Sequence, residues 1–69
     1  MKYAVIAMTD GNYNVHAEGF TDNPDGAKVS YHDYCKLLWN DAGTTKATVA
    51  IVDENLDVLE GTYKEEIIK

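Results

Sequence analysis

The stretch VSYHDYCKLLWNDAG, residues 29–43, decides the predicted fold because it contains the start, the apolar stripe and the end of one helix. Ser30 is placed to cap the N-terminus of this helix, and Asp33 follows at the third helical position. Gly43 stands where a left-handed C-terminal cap is expected. We therefore expect a helix over residues 31–42.

An apolar stripe runs along one side of this predicted helix. At roughly 100° per residue, one narrow sector of the helix collects five side chains: Tyr31, Tyr34, Cys35, Leu38 and Ala42. Cysteine in such a stripe packs as a small hydrophobic residue. The stripe predicts that the helix lies across one face of a sheet, with Cys35 turned inward.

The N-terminal third of the chain predicts a hairpin. Residues 3–8 form an apolar run that leads into a turn with Asp-Gly at its centre, a strong hairpin signal. From Tyr13 apolar and polar residues alternate, which is typical of a half-buried strand, with Tyr13 and Val15 on one face and His16 on the other. Asn-Pro-Asp-Gly at residues 23–26 has the composition of a type I turn and is expected to end this strand.

Two further strands are expected after the helix, over Lys46–Asp53 and over residues 57–64. The predicted fold class is therefore α+β, with the order ββαββ in a single domain over residues 1–69. It is a four-stranded antiparallel sheet with one helix packed on one face.

The charge balance restricts the partners that the protein can bind. Twelve acidic residues stand against six lysines and no arginine, giving a net charge of −6. Nucleic-acid binders carry a basic surface, so neither direct nucleic-acid binding nor binding to an anionic membrane is expected. A single cysteine forms no internal disulfide, and the first apolar run is too short to cross a membrane. These features predict a cytoplasmic protein.

His32 and Cys35 lie three residues apart and would be neighbours on a helix, the spacing of a pair of metal ligands. A zinc site needs three or four ligands, and the other histidine, His16, is expected to point away from the helix. The acidic turn from Asp53 begins like a calcium loop but lacks the glycine and the glutamate that define one. We expect no catalytic residue, no metal site and no cofactor.

The first strand predicts a contact surface. Tyr3 and Val5 point to one side of the strand and Ile6 and Met8 to the other, so both sides are apolar. One helix covers a single face, and an antiparallel sheet open to water should alternate between apolar and polar residues. A second copy of the chain is the expected cover, which predicts a homodimer. The predicted interaction residues are Tyr3, Val5, Ile6, Met8, His32 and Trp39.

The segment SYHDYCKLLWNDAGTTKATVAIVDENLDVLEGTYKE, residues 30–65, joins an amphipathic helix to a V-x-I-x-D-E-N hairpin. In this it resembles small uncharacterised phage and mobile-element proteins of gut Firmicutes, over about half of the chain. The resemblance implies an accessory protein that acts in a bacterial cytoplasm.

Three functions stay open from the sequence. The first is a small acidic non-enzymatic protein-interaction module, homodimeric and of phage or mobile-element origin. The second is an acidic inhibitor of a host nucleic-acid-handling protein, of the anti-CRISPR or DNA-mimic type, with a host protein as partner. The third is a small enzyme or ligand-binding protein. A negative stripe along one surface would favour the second, and a cleft beside His32 or Cys35 would favour the third.

Overall fold

The computed structural model describes residues 1–9, 12–15 and 19–69, with residues 12–14 as backbone. One antiparallel sheet and one α-helix form the fold, which confirms the α+β class. The elements are β1 (Tyr3–Thr9), β2 (Asn12–Val15), α1 (Pro24–Asn40), β3 (Lys46–Asp53), a short 3₁₀ turn (Leu59–Gly61) and β4 (Lys64–Ile68). The predicted position of His16 lies outside the described residues.

The sheet has the strand order β2-β1-β3-β4, and each neighbouring pair is antiparallel. Strand β1 pairs with the central strand β3 along the whole length of β1, from Tyr3 opposite Asp53 to Thr9 opposite Ala47. The shorter strands β2 and β4 form the two edges. Strand β3 has the bounds that the sequence predicts.

The helix begins seven residues earlier than expected, because Asn23 rather than Ser30 is its N-cap. The Asn23 side-chain oxygen accepts a hydrogen bond from the Gly26 amide at 3.1 Å, and Pro24 occupies the first turn. Asparagine followed by proline is a favourable helix start, since proline lacks the amide that would otherwise go unbonded. The predicted type I turn is therefore wrong.

The helix ends before Gly43, with Asp41 as its C-cap in an extended conformation. The Asp41 carboxylate accepts hydrogen bonds from the Gly43 amide at 3.1 Å and from the Thr44 hydroxyl at 2.8 Å. The Lys69 ammonium donates to the carbonyls of Leu38 and Asp41 at 2.7 and 2.6 Å. The residue that follows β4 thus supplies the positive charge that the last turn of α1 lacks.

One face of α1 packs on one face of the sheet. The helix residues buried there are Ala27, Tyr31, Cys35 and Leu38, spaced three and four apart. They join the buried sheet residues Val5, Ala7, Ala47, Val49, Ile51 and Ile67. The inward position of Cys35 is confirmed, whereas Ala42 lies beyond the helix and is exposed.

The fourth strand does not lie at residues 57–64, because the hairpin after β3 is interrupted. Val52 is bridged to Val58, but Ala50 pairs with Lys64, so residues 59–62 are looped out of the ladder. Part of this loop forms the 3₁₀ turn, in which Gly61 has a φ of 69°. The β4 strand consequently begins at Lys64, where the predicted strand ends, and runs to Ile68.

Candidate interaction surface

The sheet face opposite α1 carries side chains at alternate positions on three strands. Strand β1 contributes Ile6 and Met8, and β4 contributes Lys64 and Glu66. Strand β3 contributes Thr48, Ala50 and Val52. Of the residues that the structure describes, none in α1 packs on this side, so we call it the open face.

A shallow groove of about 620 Å³ runs along the open face. Besides the strand residues just named, it is lined by Val15 of β2 and by Leu56 and Val58, which follow β3. Most of these side chains are apolar, and the two charged ones lie together on β4. A groove of this kind is apolar enough to bind another surface and is wide open to it.

Cross-strand pairing fixes the neighbours within the groove. Ile6 lies opposite both Val15 and Ala50, and Ala50 lies opposite Lys64, which makes one row across the sheet. In a sheet, directly paired residues project to the same face. The next row along the strands contains Met8, Thr48 and Glu66. The open face therefore presents two parallel rows, each ending in one charged residue.

Leu56 borders the groove in an unusual conformation. Its φ is 66°, in the left-handed region that branched side chains rarely adopt, and its side chain is 67% exposed. The turn around it is held by the Asp53 carboxylate, which accepts hydrogen bonds from the amides of Asn55 at 2.8 Å and Asp57 at 3.1 Å. The fold therefore keeps a large apolar side chain in water beside the groove.

The predicted interaction residues divide between the two sides of the sheet. Ile6 and Met8 line the groove. Val5 is only 3% exposed and belongs to the core beneath α1, and Tyr3 packs against that core. The prediction placed all four in a contact surface, and for Val5 it is wrong because the helix already covers that side of β1.

His32 and Trp39 lie on α1, away from the groove. The Trp39 indole is 46% exposed and donates a hydrogen bond to the Glu65 carboxylate at 2.8 Å, which ties the helix to β4. His32 is exposed and meets the Tyr31 ring edge-on, with 5.2 Å between ring centroids. The structure therefore does not bring these two residues together with Ile6 and Met8.

The thiol of Cys35 is protonated at neutral pH. Burial, with the nearby Glu65 carboxylate as a second cause, raises its pKa to about 11. Burial likewise raises the pKa of Tyr31 to about 12. A nucleophilic cysteine needs the opposite environment, one that lowers the pKa. Within the described part of the chain, no group of three or more acidic, histidine or cysteine side chains is arranged to hold a metal ion.

Sequence reasoning missed several groove residues. Lys64 and Glu66 were missed because the predicted fourth strand ends at residue 64, whereas β4 begins there, so Lys64 has no strand neighbour after it and Glu66 lies outside the predicted strand. The expectation that His16 points away from the helix implies that Val15, on the opposite face, is covered by the helix, yet Val15 lies on the open face and is 55% exposed. The register of β2 against β1, with Val15 opposite Ile6, explains this. In the sequence, the indication that Val15 lies on the open face is Ile6, an apolar residue on the uncovered side of β1 with which Val15 can pair.

Comparison with known proteins gave no relative. A scan against family models, a search of curated proteins and a search of solved structures each found no match. The resemblance to phage and mobile-element proteins therefore stays a prediction. Among the described residues, no helix combines the length and the apolar character needed to span a membrane.

Proposed function

We propose that this protein is a small acidic interaction module, without catalytic activity, that works as a homodimer through its open face. The observation that carries the proposal is the groove of about 620 Å³ on a sheet face that α1 does not cover. Its apolar lining is the kind of surface that proteins bury against a partner.

Self-association suits the size of the chain. A domain of 69 residues buries a smaller fraction of its unfolded surface than a larger domain does, so its stability is limited when it stands alone. Covering the open face with a second copy would enlarge the apolar core without a disulfide, since the chain has one cysteine. A two-fold dimer requires only that one surface be complementary to itself.

The acidic side chains favour this function over a mimic of nucleic acid. A mimic needs carboxylates spaced like phosphates on a single surface. Glu65 and Glu66 are adjacent on β4 and so point to opposite faces, Glu65 toward Trp39 of the helix and Glu66 into the groove. These two neighbouring carboxylates are therefore divided between two sides of the sheet, rather than aligned on one surface.

The test is the mass of the protein in solution. We expect sedimentation equilibrium over a wide concentration range to approach twice the chain mass of 7.7 kDa. Ile6→Asp should shift the protein to monomer, because a carboxylate in the middle of the groove would lose its water on association.

Leu37→Asp is the matched control, since Leu37 is exposed on the outer side of α1. This variant should associate like the wild type, and circular dichroism should show that both variants are folded. A wild-type protein that stays monomeric at millimolar concentration would overturn the proposal.

A further inference from the structure

Lys64 and Glu66 form a pair of opposite charges on one side of β4. Both side chains are exposed, and both line the groove at the same edge of the sheet. Residues two apart on a strand lie about 6.7 Å from each other and point the same way. The charged edge of the groove therefore has a positive end and a negative end along the strand direction.

A surface with this polarity is complementary to a copy of itself that runs the opposite way. Resting on the homodimer proposed above, we propose that the two copies stack their open faces about a two-fold axis that crosses the strands at the level of Glu65. Strand β4 then lies over β4 of the second copy in antiparallel orientation. Each Lys64 faces Glu66 of the second copy, which gives two equivalent ion pairs.

The same axis matches the apolar rows. It exchanges the row of Ile6 and Ala50 with the row of Met8 and Thr48, because these rows lie on either side of the level of Glu65. Ile6 is then placed over Met8 of the second copy, and Ala50 over Thr48. Two sheets packed face to face lie about 10 Å apart, a gap that these side chains and the Lys64–Glu66 pairs would span.

The alternative axis, parallel to the strands, is unfavourable. It would stack β4 on β2, where the described side chain on the open face is Val15. Lys64 and Glu66 would then lose water without gaining a partner of opposite charge, which costs more than leaving them exposed. The charges on β4 thus select the orientation, while the apolar rows provide the attraction.

The dimer is expected to be weak. Four strands at about 4.8 Å spacing make a face about 19 Å wide, and the seven residues of β1 at about 3.3 Å each make it about 23 Å long. The plane of the face is therefore roughly 440 Å², which is below the standard interface of about 800 Å² per partner. We therefore expect a dissociation constant in the micromolar range. Sedimentation equilibrium at several concentrations is the measurement that checks it.

Charge reversal tests the orientation. Lys64→Glu carries acids at both positions and Glu66→Lys carries lysines at both, so each variant alone should dimerise about tenfold more weakly or worse, because like charges then face each other. An equimolar mixture of the two variants should recover association, since each supplies the charges that the other lacks. The double exchange, Lys64→Glu with Glu66→Lys, should dimerise like the wild type.

Lys36→Glu and Glu54→Lys serve as controls that change the net charge equally at exposed positions outside the groove. Both should keep wild-type association. If the wild type dimerises but the mixture and the double exchange stay as weak as the single variants, the orientation is wrong and the homodimer stands. If the wild type is monomeric throughout, the homodimer and the orientation both fail.

Discussion

Two residues other than glycine in the connection between β3 and β4 adopt left-handed backbone, Leu56 with a φ of 66° and Glu60 with a φ of 53°. For a residue with a side chain, this region costs about 1–2 kcal/mol relative to ordinary helical backbone. Backbone strain of this kind persists where other interactions hold it and is common at sites of binding. Leu56 lines the groove and Glu60 does not. Substituting each residue in turn therefore distinguishes the effect of backbone strain on stability from the effect of the Leu56 side chain on dimerisation.

We expect Leu56→Gly to stabilise the monomer and to weaken the dimer. Glycine removes the strain at this φ, so the free energy of unfolding should rise by up to about 1 kcal/mol. The same change removes an exposed apolar side chain beside the groove, so self-association should fall. Urea unfolding at a concentration where the protein is monomeric measures the first effect, and sedimentation equilibrium measures the second.

Glu60→Gly is the matched control for Leu56→Gly. Glu60 lies four residues after Leu56 and outside the groove, and its backbone carries similar strain. The substitution should therefore stabilise the monomer and leave dimerisation unchanged. Equal losses of dimerisation in both variants would show that the whole connection matters. In that case the side chain of Leu56 has no separate contribution to the contact.

At the level of elements, the sequence predicts β3 fully and the start of α1 poorly. Strand β3 is predictable because its apolar residues are continuous and end in an acidic turn. The start of α1 is ambiguous because Asn23 and Pro24 suit both a type I turn and a helix N-terminus. The backbone angles of a type I turn are nearly helical. The turn therefore becomes the first turn of a helix when the residues after it, Ala27 and Lys28, continue in helical conformation.

The position of β4 depends on a backbone detail that no periodic pattern contains. Residues 59–62 leave the ladder, and the pairing with β3 resumes at Lys64 with a register shifted by this excursion. Leu59 and Tyr63 pack against the core from this connection, so the excursion replaces strand pairing with burial. The alternation of apolar and polar residues in the sequence does not stop at this loop, so it gives no indication that the register of β4 has shifted.

The contact between Lys69 and the end of α1 joins the last element to the helix. We expect Lys69→Met to lower the free energy of unfolding by about 1 kcal/mol, because the carbonyls of Leu38 and Asp41 lose a charged donor at the negative end of the helix. Methionine preserves most of the length and apolar character of the side chain. Urea unfolding of the monomer gives the measurement.

Lys36→Met controls for the loss of one positive charge from an acidic protein, since Lys36 is an exposed residue of the same helix. Its effect should stay within about 0.5 kcal/mol, as for ordinary surface substitutions. If Lys36→Met is as destabilising as Lys69→Met, the effect is one of net charge, and the two hydrogen bonds contribute nothing specific.

On the scale of the whole molecule, the sequence reveals that a face needs covering but not which residues line it. Ile6 and Met8 can be predicted as surface contact residues because β1 is apolar on both sides and one helix can cover only one of them. Lys64 and Glu66 depend on the register of β4, and Leu56 depends on a turn whose backbone angle is not encoded by composition. The apolar part of the candidate site is thus predictable, and its charged edge is not.

Stability should depend on protein concentration if the open face is buried between two copies. A partner that binds only the folded chain raises the free energy of unfolding, by about 2.7 kcal/mol at a hundredfold excess over the dissociation constant. For a domain of this size, such a gain corresponds to a rise in melting temperature of roughly 10–20 °C. We expect the wild type to melt at a higher temperature as its concentration increases from micromolar to millimolar. The Ile6→Asp variant should melt at one temperature throughout, and an equal rise in both proteins would place the contact outside the groove.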